Sequence, residues 1–93
     1  MVIVTFKLYG KPESRLEIRQ SLNGIAGKVK KLDGCNDTEI YQDIDDKDTF
    51  FMVEKWDKQR QLDDHMKTSL FSALLGIRVL LTKKPKIMFM KED

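Results

Sequence analysis

Ninety-three residues carry 17 Lys and Arg against 15 Asp and Glu, a formal net charge of +2, and 41% of them are hydrophobic. That length supports one modest core and no second domain, and the near-neutral balance lacks the basic surplus of a nucleic-acid binder. Cys35 is the only cysteine and closes no internal disulfide. Nothing therefore calls for an oxidising compartment, and a cytoplasmic location is expected.

Residues 2–9 are β-branched and aromatic on both parities and predict a strand buried on both faces. They lack a basic leader and a small-residue cleavage site, so they do not read as a signal peptide. The turn that follows puts Pro12 at a first helical position. Ile18, Leu22, Ile25, Val29 and Leu32 then recur at helical spacing, one apolar stripe closed by Asp33 and Gly34. Gly24 and Gly27 weaken this helix by about 1 kcal/mol each relative to alanine, and tight packing on a sheet is the expected compensation.

A second strand is predicted over 36–43, a polar hairpin connection over 43–48 and a third strand over 49–56. Asp57 is expected to cap a short helix over 58–66, and Thr68 or Ser69 to cap another over 70–81 that Lys84 and Pro85 stop. The apolar run 70–81 is too short to span a bilayer and contains Arg78, so no membrane partner is expected. Residues 86–90 form a closing strand. Residues 1–93 thus read as a single domain of β-α-β-β-α-β order, an α+β ferredoxin-like fold. Right-handed crossovers put both helical regions on one face of the sheet. The other face is also apolar, and no chain remains to cover it. A homodimer packed sheet against sheet is the economical solution.

On the third strand, alternation sets Phe50, Met52, Glu54 and Trp56 on the helix side. Glu54 is then a carboxylate on a largely apolar surface, which requires an Arg, Lys or His partner, as in a structural ion pair. His65, the only histidine, brings the side-chain type that titrates near neutral pH to the junction of the two later helices. Trp56, the only tryptophan, lies nine positions earlier. Because the intervening segment is partly helical, the two return to within about 10 Å of each other. An indole wall beside an imidazole suits a flat aromatic ligand with an acidic hydroxyl. The plainer reading of a lone histidine is a capping or core-edge hydrogen-bonder. Asp43, Asp45, Asp46 and Asp48 read as solvated turns, and one histidine with a distant cysteine makes no metal-ligand set. Cys35 reads as a small buried hydrophobe. The third strand also lacks the basic-glycine-aromatic start of an RNA-binding sheet.

Residues 33–75 resemble the antibiotic biosynthesis monooxygenase family. The likeness rests on the Gly34-Cys35 turn, the strand and acidic hairpin, Glu54 and Trp56 as Glu-x-Trp, Leu62 and His65 as Leu-x-x-His, then Ser69 and Phe71. It implies a dimeric α+β barrel with a pocket between sheet and helices. It also implies oxidation of a quinol or polycyclic phenol by O2 with no metal and no cofactor: a deprotonated phenol donates an electron to O2 in a pocket that excludes water. In that scheme Trp56 and His65 are the catalytic pair, the indole stacking the substrate ring and the imidazole taking or relaying its proton. Met52 and Phe71 line the dry wall, and Glu54 completes the substrate-binding set. Haem-degrading members carry an Asn on the first strand, which residues 2–10 lack, and this argues against haem oxygenation. Met52 stands where polyketide-oxidising members place an Asn. The alternative is a non-catalytic dimeric protein that binds a small aromatic or quinone-like molecule, with the same pocket but no need of His65.

Overall fold

The computed structural model describes residues 1–91, so the last two positions of the expected domain 1–93 lie outside the described residues. Four antiparallel strands make one open sheet: β1 (Val2–Tyr9), β2 (Cys35–Gln42), β3 (Thr49–Trp56) and β4 (Lys86–Lys91), in the order β2-β3-β1-β4. Three helices, α1 (Arg15–Val29), α2 (Gln59–Met66) and α3 (Ser69–Gly76), cover one face. The fold is α+β and ferredoxin-like. The central pair aligns Val2 with Trp56, Val4 with Glu54, Phe6 with Met52 and Leu8 with Phe50. All eight of these side chains are buried, because the pleat sends alternate residues to the same side. Ile18, Leu22, Ala26 and Val29 of α1, Leu62 of α2 and Leu74 of α3 close the core over them.

The opposite face carries Ile3, Thr5, Lys7 and Tyr9 of β1 with Phe51 and Val53 of β3, all half-buried in the single chain. Strand β1 is therefore buried on its helix side only. Register adds Met88 and Met90, opposite Thr5 and Ile3, both exposed.

Several local expectations shift. Pro12 opens a single 3-10 turn (Pro12–Ser14), and α1 begins after it. The helix ends at Val29, so Leu32 falls in the turn beyond, where Gly34 adopts φ +85°. Gly24 and Gly27 do not pack on the sheet: both point outward, with nothing within 4 Å of where a Cβ would stand. Asp57 does not cap α2. Its carboxylate accepts from Asn36 Nδ2 at 2.6 Å, while Gln61 Oε1 reaches back to the Lys58 N–H at 3.1 Å. Thr68 does cap α3, accepting from the Phe71 N–H at 3.4 Å.

The predicted helix 70–81 divides, with α3 stopping at Gly76 and a 3-10 turn (Ile77–Leu80) following. The cause is anchorage to the end of β1. Lys11 N–H donates to Leu80 O at 2.9 Å and Thr82 N–H to Tyr9 O at 2.8 Å, and a continuous α-helix would carry those groups away. In the hairpin, Asp43 Oδ1 accepts from the N–H groups of Asp45 (2.8 Å) and Asp46 (3.2 Å). Those backbone bonds hold the Asp43 carboxyl below its ordinary range, and the acidic run thus serves as turn chemistry.

Gly34 is required where it stands. A Cβ there would enter the left-handed region and meet the side-chain end of Gln61, displacing the bond to Lys58. Gly34→Ala should cost about 1–2 kcal/mol from backbone strain alone. Urea unfolding should show the loss as a lower midpoint at an unchanged slope.

Candidate functional site

The site grows from one strand and one helix. Strand β3 delivers Glu54 and Trp56 two residues apart on the helix side, and α2 returns His65 over them. The Trp56 and His65 rings stack with centroids 5.0 Å apart and planes at 26°. Phe71 meets the imidazole edge-on at 5.9 Å and 83°, and itself leans on Phe6 at 6.0 Å. The His65 carbonyl accepts from both the Thr68 N–H (3.0 Å) and the Thr68 hydroxyl (2.6 Å). Ring and backbone of His65 are therefore both held.

Beneath this stack lies Glu54, with no exposed surface. Its Oε1 accepts from the Trp56 indole Nε1–H at 3.0 Å. The same oxygen lies 3.4 Å from His65 Nε2, within ion-pair reach but out of line for a hydrogen bond. Glu54 Oε2 and both imidazole nitrogens have no hydrogen-bond partner among the described residues. Buried polar atoms are ordinarily satisfied, so three orphans within one cluster set it apart from the rest of the core.

A cavity of about 220 Å³ opens against the stack, lined by Leu32, Asp33, Trp56, Gln61, Asp64, His65 and Thr68. Of the residues singled out from sequence, it brings together Trp56 and His65. Met52 lies fully buried in the core, Glu54 sits behind the stack, and Phe71 braces the imidazole from the side; none of the three lines this cavity. The lining residues that sequence reasoning missed are Leu32, Asp33, Gln61, Asp64 and Thr68. Two of the five had a readable signal: Gln61 stands four residues before His65 and Thr68 three after it, the spacing of neighbours on one helical face. Leu32 and Asp33 arrive through the turn at Gly34, which no local periodicity announces.

Among the described residues no group of three or more His, Cys, Asp or Glu side chains is placed to hold a metal ion. No helix among them is long and apolar enough to cross a membrane.

The sequence model of the antibiotic biosynthesis monooxygenase family matches residues 1–75, and the chain belongs to that family, a class of monooxygenase-like function. No curated protein matches it. A candidate antibiotic biosynthesis monooxygenase from Deinococcus radiodurans is 24% identical, with a TM-score of 0.91 over 100% of this chain and 93% of its own. A conserved protein from Methanosarcina mazei Go1 is also 24% identical, with a TM-score of 0.91 over 99% of this chain and 92% of its own. Rv0793 from Mycobacterium tuberculosis is 20% identical, with a TM-score of 0.89 over 98% and 93%. At such identities the likeness establishes the shared fold.

Cys35 lies on β2 directly across from Trp56. Burial raises its thiol above the ordinary value of 9.0, the nearby Glu54 charge pushes the same way, and a hydrogen bond with Thr38 opposes them. Because the thiolate is the nucleophile, a raised thiol is mostly protonated at neutral pH. Iodoacetamide should therefore modify Cys35 more slowly than free cysteine at pH 7 and catch up only as the pH climbs past the ordinary value. Faster labelling than free cysteine at neutral pH would contradict the assignment.

Proposed function

We propose that the chain is a cofactor-independent monooxygenase acting on a small aromatic substrate, a single-ring quinol, with O2. The observation that carries this reading is the Trp56–His65 stack on the wall of a cavity, in a chain of this family. Volume narrows the substrate. A dry cavity of about 150 Å³ admits benzene, whereas pockets for drug-sized ligands run from about 300 Å³ upward. At about 220 Å³ a substituted single ring is favoured over the polycyclic phenols that the sequence also allowed. Charge narrows it further: Asp33 and Asp64 stand among the lining residues and no Lys or Arg does, so a neutral ring is preferred to an anion.

In the proposed reaction His65 accepts the proton of a ring hydroxyl, leaving the electron pair on oxygen. The phenolate then passes one electron to O2, and the radical pair joins to form a ring C–O bond. One oxygen atom stays on the ring, the other leaves as water, and all four electrons that O2 takes come from the quinol, which ends as a hydroxyquinone. Trp56 stacks the ring while these steps proceed. Phe71 keeps water from one side of the imidazole, and Met52 fills the core behind. No metal or flavin takes part in this scheme.

We further propose that residues 1–93 act as one domain and that two copies pack through their open sheet faces. Phe51 and Val53 remain half-buried there, and Met88, Met90 and Tyr41 are exposed. Together they make a contiguous apolar stretch on the open sheet face, the kind of surface a partner covers. Sedimentation at micromolar concentration should give twice 10.9 kDa, and Val53→Asp should return a monomer or an unfolded chain, because it buries an unpaired charge. A wild-type monomer would remove the dimer from the account.

Oxidation itself is tested by O2 uptake across a panel of single-ring quinols. His65→Ala should slow uptake by on the order of 10²- to 10⁴-fold while leaving the fold intact. Equal rates for wild type and His65→Ala with every quinol would leave a binding protein of the same fold.

A further inference from the structure

We infer that Glu54 is a positioning residue: its single Oε1 atom, shared between the Trp56 indole and His65 Nε2, fixes which imidazole nitrogen is left to meet the substrate. This rests on the proposed function and refines it, because the sequence reading put Glu54 in contact with substrate. It lies wholly behind the stack instead and does not line the cavity.

An ionised carboxylate accepts hydrogen bonds and donates none, and without partners it is costly to bury. Within reach of Oε1 are two ring nitrogens, Trp56 Nε1 at 3.0 Å and His65 Nε2 at 3.4 Å. The indole nitrogen is always a donor. His65 Nε2 makes no hydrogen bond to that oxygen, but at 3.4 Å a bare Nε2 would set its lone pair against those of a carboxylate, so Nε2 is the nitrogen that carries the hydrogen. The neutral ring is then protonated at Nε2 and bare at Nδ1. Neither ring nitrogen has a hydrogen-bond partner among the described residues, but only Nε2 has the carboxylate oxygen beside it, which leaves Nδ1 as the atom to take a substrate proton.

The proton balance follows. The substrate O–H bond breaks with its electron pair remaining on oxygen, the Nδ1–H bond forms, and the positive charge created on the ring stands beside the Glu54 carboxylate. A carboxylate behind an imidazole that becomes cationic during reaction both orients the ring and stabilises that cation. Here it also ties down the stacking wall, since the same oxygen holds the indole.

Other features carry less. The groove between α1 and the 3-10 turn, lined by Glu17, Ser21, Ile25, Ala73, Val79 and Leu80 among others, has nothing that points to an occupant. Lys7 and Lys83 both stand over the Tyr9 ring, at 5.3 and 4.1 Å from its centroid, an arrangement that cation–π packing accounts for by itself.

The chain has one histidine and one tryptophan, so each gives a single set of ring signals in nitrogen-15 NMR. In wild type, at about pH 8, where an ordinary imidazole is neutral, long-range proton–nitrogen correlations should show Nε2 protonated and Nδ1 bare. In Glu54→Gln the indole N–H signal should move and the preference for that tautomer should weaken. On the quinol panel kcat should fall by on the order of 10²-fold or more with KM little changed. A wild-type ring protonated at Nδ1, or a Glu54→Gln spectrum with both ring signals unmoved, overturns the inference whatever the activity shows. If Glu54→Gln does not fold, Trp56→Phe decides: His65 should keep its Nε2 proton with Oε1 relieved of the indole, and a switch to Nδ1 protonation would contradict the role. Failure of the monooxygenase reading appears separately, as His65→Ala oxidising quinols at the wild-type rate while the NMR signature stands.

Discussion

A carboxylate with no exposed surface sits on the helix side of the central strand β3, and the candidate site is built around keeping it partnered. Glu54 is flanked across the sheet by Val4 and Thr38, neither of which brings a cation. Removal from water would cost several kcal/mol if nothing answered the charge. The answer comes from two rings, an indole two residues along the same strand and an imidazole delivered by α2. Alternation along β3 makes the first unavoidable, since residues two apart share a face. The short link from Trp56 to α2 makes the second possible.

The cavity follows from the same arrangement. The stacked pair forms one wall, the face of α2 that carries Gln61, Asp64 and His65 continues to Thr68, and the turn at Gly34 brings Leu32 and Asp33 across from them. Gly34 is thus coupled to the site twice. Its left-handed backbone makes the turn, and its carbonyl accepts the Asp57 N–H at 2.9 Å, just where the chain leaves β3 for α2. Thr68 has a similar double role, because it caps α3 and clasps the carbonyl of His65. Both sides of the cavity are thus held by hydrogen bonds to the backbone.

What was readable in the sequence divides by the range of the interaction responsible. Strand β1, strand β3 and the inward set Phe50, Met52, Glu54 and Trp56 depend only on local alternation, and they stand as expected. The approach of His65 to Trp56 followed from chain length and helical rise. Ends of elements were less legible. Strand β2 runs one residue earlier than anticipated, with a bulge between Cys35 and Asp37. The late helix breaks because residues far away at the end of β1 claim its last backbone groups. Gly24 and Gly27 misled in the opposite way, since a solvent-facing glycine and one under a sheet look alike in a helical stripe. The cavity walls from the Gly34 turn were hidden for the same reason as the helix break: they depend on how distant segments dock, which no window of sequence contains. The family resemblance implied Phe71 as part of the pocket wall, whereas the structure sets it edge-on to the imidazole and outside the cavity lining.

The central claim is that a neutral aromatic ring lies on Trp56 with its hydroxyl turned to His65. The most direct measurement is a crystal structure of the chain with a single-ring phenol that resists oxidation. The account predicts the ring parallel to the Trp56 indole in the cavity between α2 and the Gly34 turn, with the phenol oxygen within hydrogen-bond distance of His65 Nδ1. A phenol bound elsewhere, on the open sheet face or in the groove beside α1, with the Trp56–His65 cavity left empty, would contradict it.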